Sequence, residues 1–104
     1  MKFALNVMEG KTMNGKKALR IRISGRVQGV GFRYWTLLLA RRLNVKGSVR
    51  NLSDYSVEVT AEADERILEH FVSQLREGPP HARVDELIAE VIGVGGYIDF
   101  TIEG

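Results

Sequence analysis

Three glycines, Gly25, Gly29 and Gly31, fall within seven residues of the stretch GRVQGVGFRY (residues 25–34), and Arg33 follows two residues after the last of them. Glycine inside an ordered element is less favourable than alanine by about 0.5–1 kcal/mol, so a bare backbone here must answer a need. The first N–H groups of a helix lack intrahelical partners and carry the positive end of its dipole. Gly29 and Gly31, placed between a strand and a helix, let such donors converge into a nest for an anion, most naturally a phosphate. Arg33 can add a permanently charged, bidentate fork. The plain alternative is a tight strand-to-helix turn with glycines for close packing. Three glycines and an arginine together favour the anion. Other phosphate motifs do not fit. No Lys-Ser/Thr pair follows as a P-loop requires, and Tyr34 stands where the dinucleotide pattern wants glycine. GVGFRY faintly echoes an RNA-binding strand motif, but here it opens a helix.

The flanking residues say how such a cradle is held. Residues 18–24, ALRIRIS, alternate Leu19, Ile21 and Ile23 against Arg20, Arg22 and Ser24, the pattern of a half-buried strand. Phe32, Trp35, Leu38, Leu39, Arg42 and Leu43 follow at helical spacing, which predicts a helix over Phe32–Leu43, stopped by Asn44 or Gly47 with φ > 0. GSVRNL and SVEVTAEA read as two strands of a hairpin joined through SDYS. Asp64 can cap a second helix whose apolar stripe is Ile67, Leu68, Phe71, Val72 and Leu75, ended by Gly78-Pro79-Pro80. ARVDELIAEVIG fits a helix as well as a strand. The order βαββα needs a further strand, so we read it as one, with a last short strand in YIDFTI. The expected fold is α+β, a ferredoxin-like βαββαβ sandwich: an antiparallel sheet with two helices on one face, plus a short C-terminal strand. That layout hosts enzymes, RNA binders and regulatory modules alike.

A chain of 104 residues with 44% apolar residues can build one core without staples. It has no cysteine, so disulfides, thiolate metal sites and a cysteine nucleophile are excluded. His70 and His81, eleven apart, fall outside ligand spacing and read as solvated, so no metal site is expected. Neither a membrane span nor a signal peptide is expected. Asn14-Gly15 and Lys16-Lys17 mark a polar lead-in, and Met13 is as plausible a start as Met1. We therefore expect residues 1–17 to form a flexible tail and residues 18–104 the domain. Charge is lopsided: residues 1–51 carry twelve Lys/Arg and one acid, and residues 52–104 carry three Lys/Arg and twelve acids, for a net charge of +2. Either the first half forms a positive pole that steers anions, or folding interleaves the two halves.

Taken in order, GRVQGVGFR, GSVRN, SVEV, GPPHARV and GYIDFTI resemble the acylphosphatase family over about Leu19 to Ile102. The resemblance implies hydrolysis of acyl phosphates to carboxylate and phosphate, with no metal or other cofactor, by a small cytosolic monomer with no nucleic-acid or membrane partner. It implies that Arg26, Val27, Gln28, Gly29, Val30, Gly31, Phe32 and Arg33 hold the substrate phosphate, where a free phosphate or sulfate could also bind. It further implies that Asn51, the last residue of VRN, positions the attacking water, so that Arg33 and Asn51 are the catalytic pair. The chemistry is consistent with these residues. A carboxylate leaves readily, and a loose phosphoryl-transfer transition state needs mainly positioning and charge stabilisation. The motif offers no carboxylate or histidine base, so the substrate phosphate is expected to take the water's proton. A pH–rate profile governed by an enzyme group near neutrality would count against that step.

Ser48 departs from the family's usual aromatic, and Ser53 and Tyr55 stand where a proline and a glycine normally shape the hairpin. A bulky residue forced to φ > 0 at Tyr55 is disfavoured by roughly 1 kcal/mol or more. Trp35 reads as helix packing, and Arg50 as a solvated strand charge. Two other classes compete. One is an acylphosphatase-like module that binds phosphate or carbamoyl phosphate without turnover. Loss of Arg33 or Asn51 would have pointed to it, and both are present. The other is an RNA-binding sheet, which wants exposed aromatics on its central strands. Arg20, Arg22, Glu58 and Glu62 stand on the polar faces instead, and the glutamates would repel a phosphate backbone.

Overall fold

The computed structural model describes residues 15–104. The elements run β1 (Lys17–Arg26), α1 (Phe32–Leu43), β2 (Lys46–Asn51), β3 (Val57–Ala63), α2 (Glu65–Glu77), β4 (Arg83–Ile92) and β5 (Phe100–Ile102). The sheet order is β4-β1-β3-β2-β5, with both helices against the core side. The ambiguous stretch is indeed a strand: β4 pairs antiparallel with β1 along its length. The sheet is mixed rather than wholly antiparallel, because β5 lies parallel to β2, with Gly47 opposite Phe100 and Val49 opposite Ile102. The expected tail falls mostly outside the described residues, but its boundary lies inside β1, which begins at Lys17.

Alternation builds the core. Leu19, Ile21 and Ile23 are fully buried and meet Val57, Val59 and Ala61 of β3 below the two helices. Helix α2 buries Leu68, Phe71, Val72 and Leu75, as its stripe predicts. Helix α1 runs over the expected residues, but its buried face is Phe32, Thr36, Leu39 and Ala40. Leu38 and Arg42 of the expected stripe are exposed, because the apolar run Leu37–Leu39 covers more of the helix circumference than the sheet does. Trp35 packs its ring 5.6 Å from that of Phe32. Asn44 ends α1 in the left-handed conformation, φ 60°, and its N–H reaches the carbonyls of Ala40 and Arg41.

The uneven charge is resolved by interleaving. Of the six ion pairs among the described residues, five join the basic first half to the acidic second: Lys17–Glu65, Arg20–Glu90, Arg22–Asp54, Arg41–Asp99 and Arg50–Glu58. Arg50 is thus a paired strand charge, its Nε 3.0 Å from Glu58 Oε1. Such surface pairs each contribute about 0–1 kcal/mol and set acids of the second half beside bases of the first. Glu62 is a correction to the expected solvated face: it is 2% exposed and accepts hydrogen bonds from the backbone N–H groups of Gly95, Gly96 and Tyr97.

Candidate active site

The cradle is the five-residue connection between β1 and α1. Val27 and Phe32, each 1% exposed, anchor its two ends in the core. Fully burying side chains of this size stabilises by about 1.5–3 kcal/mol each, so the span between them is held at both ends. Gly29 and Gly31 turn the chain with φ 75° and φ 78°. A Cβ added to either would meet nothing within 4 Å. Close packing is therefore not what these glycines serve; left-handed backbone is. Gly31 is also the N-cap of α1, with no side-chain cap and no acid in the first turn. The leading N–H groups of the helix thus keep their dipole-enhanced donor capacity.

Arg33 and Asn51 come from separate elements. Arg33 lies in the first turn of α1, half-buried, and its Nη1 donates to the Gly104 carbonyl oxygen at 2.8 Å. Asn51 closes β2 at the start of the hairpin. Its Oδ1 is buried and has no hydrogen-bond partner among the described residues. A buried acceptor left unpaired is disfavoured by about 1–3 kcal/mol, so this atom is suited to a water or ligand donor.

Gly29, Gly31, Phe32, Arg33 and Asn51 line one cavity of about 230 Å³, together with Val27. Of the other loop residues singled out in the sequence, Arg26 ends β1 in an exposed position, Val30 packs against the core, and the Gln28 side chain turns to the β2–β3 hairpin. Tyr34 and Ile102 also line the cavity. Tyr34 sits next to Arg33 and could have been suspected from that neighbour alone. Ile102 carried no local signal, because only the parallel pairing of β5 with β2 brings it there. Among the described residues Arg33 is the single charged side chain lining the cavity, and no Asp or Glu lines it. Such a site suits an anion and offers no general base. His70 and His81 are exposed and do not line it. Among the described residues no three metal-ligating side chains cluster, and no helix is long and apolar enough to cross a membrane.

Comparison with known proteins matches residues 19–102 to the Acylphosphatase family. An acylphosphatase of Treponema denticola is 58% identical over 87 residues, covering 84% of this chain and 93% of the relative. The crystal structure of acylphosphatase from Bacillus subtilis superposes with a TM-score of 0.83 at 35% identity, covering 85% of this chain and 99% of that one. A full-length HypF in the phosphate- and nucleotide-bound form is similar over 86% of this chain but only 12% of its own, with a TM-score of 0.77 at 34% identity.

Proposed function

Because the chain belongs to the acylphosphatase family, we propose that Arg33 and the 26–32 backbone hold the phosphoryl group of its substrate while Asn51 orients the attacking water. The chain is an acylphosphatase, and its substrates are small acyl phosphates. Water attacks phosphorus, the bond from phosphorus to the acyl oxygen breaks, and carboxylate and inorganic phosphate leave. The water's proton passes to a phosphate oxygen. Backbone donors at the head of α1 and the Arg33 guanidinium offset the charge on the phosphoryl oxygens, and both are in place before reaction. The Asn51 carboxamide aligns water without acting as a base.

The observation that supports this reading most is the shared cavity: Gly29 and Gly31 of the loop, Arg33 of α1 and Asn51 of β2, whose Oδ1 has no partner among the described residues, line one space of about 230 Å³. A small monomer in the cytoplasm, working without metal, membrane or nucleic acid, is the corresponding setting. A phosphate or sulfate ion should occupy the cradle as a product-like inhibitor. Residues 18–104 form the working domain in this reading. The runner-up is a phosphate- or carbamoyl-phosphate-binding module without turnover, which the likeness to one segment of the much longer HypF keeps in view.

Hydrolysis of benzoyl phosphate in EDTA tests the reading, run on the full chain and on a chain begun at Met13. Equal turnover by both is expected. Arg33→Gln should weaken phosphate inhibition and lower kcat/KM by about 10³-fold or more. Asn51→Ala should lower kcat by about 10²–10³-fold with little change in phosphate affinity. A folded parent that binds phosphate at the loop and never turns over would leave the binding module in possession of the site.

A further inference from the structure

The Gln28 side chain has a task separate from the anion. Its Nε2 donates to the Leu52 carbonyl oxygen at 3.0 Å and to the Ser56 carbonyl oxygen at 2.9 Å. A carboxamide nitrogen carries two protons, so both are committed to one hairpin and neither is left for a phosphate. The two carbonyls close that hairpin: Leu52 N–H donates to Ser56 O at 2.8 Å, and Tyr55 N–H donates to Leu52 O at 3.1 Å. Leu52 directly follows Asn51, and Gln28 is the residue before Gly29. The amide therefore ties the middle of the cradle to the residue that carries on from Asn51.

The hairpin carries strain of its own. Tyr55 holds φ 71°, a left-handed conformation that a bulky side chain disfavours. Within the turn, Ser56 donates from both N–H and Oγ to Asp54 Oδ1. These local bonds shape the turn, and the pairing of Ile23 with Val57 and the exposed Arg22–Asp54 ion pair place it beside β1. Of the side-chain hydrogen bonds among the described residues, only those of Gln28 join the cradle loop to the hairpin.

We infer that Gln28 is a positioning residue that sets the register between the phosphate cradle and the Asn51 carboxamide. The inference rests on the reading of Asn51 as the residue that orients water. Catalysis of this kind is sensitive to placement, and a shift near 1 Å can lower a rate by about 10²-fold. A Gln28 side chain that merely stabilised the fold would lower stability without a specific effect on the step Asn51 serves.

A double-mutant cycle separates these roles. Benzoyl phosphate turnover, the inhibition constant of inorganic phosphate and urea unfolding are measured for the parent, Gln28→Met, Asn51→Ala and the double variant. Gln28→Met retains length and bulk; Gln28→Ser serves as a second replacement should the thioether prevent folding. Gln28→Met should lower kcat about 30-fold in the parent background, with phosphate inhibition changed less than about threefold, and less than about twofold in the Asn51→Ala background. The loss of stability should be the same in both backgrounds. Equal losses of kcat in both backgrounds overturn the inference, as does a phosphate affinity that falls in step with kcat. An unchanged kcat in Asn51→Ala removes instead the reading of Asn51 on which the inference stands.

Discussion

At the head of α2, Asp64 turns back to accept the Ile67 N–H at 3.0 Å, and Glu65 adds negative charge to the first turn. At the head of α1, Gly31 offers no side chain and no acid follows. The same end of the molecule that carries Asp64 also holds Glu62, whose buried carboxylate accepts from three successive backbone N–H groups of the 95–97 turn. This fold therefore meets clustered backbone donors with its own carboxylates at one end of the sheet and leaves those at the head of α1 without one. The physical difference is whether a negative group is covalently part of the chain. Where donors serve structure, an internal acid removes a desolvation penalty. Where they serve the substrate, an internal acid would compete with it.

Supplying α1 with an acid is the sharpest way to break this contrast. Gly31→Asp keeps a residue that tolerates left-handed backbone better than most and puts a carboxylate at the N-cap. Phosphate inhibition and kcat/KM should each weaken by on the order of 10²-fold, while the domain stays folded. Full activity in a folded variant would show that the donors at α1 are not what the substrate uses. Emptying the opposite end should act on stability instead. Glu62→Ala leaves three N–H groups of the 95–97 turn without their acceptor, and a loss of about 3 kcal/mol is expected from urea unfolding. A loss below that of an ordinary surface change would mean solvent satisfies the turn unaided.

Asp64→Ala should lower unfolding stability by about 1 kcal/mol, the usual worth of a side-chain N-cap, and leave the inhibition constant of phosphate unaltered. Weaker phosphate binding in this variant would couple the two ends and blur the contrast. The smallest effect concerns the hairpin beside the site. Tyr55→Gly relieves the φ 71° conformation and should raise stability by about 0.5–1 kcal/mol after the added unfolded-state freedom of glycine is counted. Thermal unfolding of the two proteins decides it; an unchanged or lower midpoint would show that the tyrosine ring makes compensating contacts.

Much of this molecule could be read along the chain because its determinants are local. Helix α1 begins at Phe32 and ends at Leu43 as its spacing predicts, and Asn44 takes the left-handed conformation that its small polar side chain permits. Asp64 caps α2 as its position before the apolar stripe implies. The cradle also could be read, since glycines next to a helix start dictate backbone geometry within a few residues. By contrast, the extra residues of the apolar run in α1 hide which side faces the sheet: the spacing puts Leu38 inside, and it lies outside. Glu62 alternated with buried residues and looked solvated, yet the 95–97 turn folds over it.

The set of elements and the backbone geometry of the β1–α1 junction are legible along the chain. Both follow from side-chain periodicity and from the φ that glycine allows, which need no distant partner. Which side chains meet depends on the folded arrangement. It brings Asn51 and Ile102 to the cradle through strand pairing, turns the Gln28 amide onto the hairpin, and sets five basic side chains of the first half beside acids of the second. Those outcomes depend on register between strands far apart in sequence, where a shift of one residue sends every side chain to the other face.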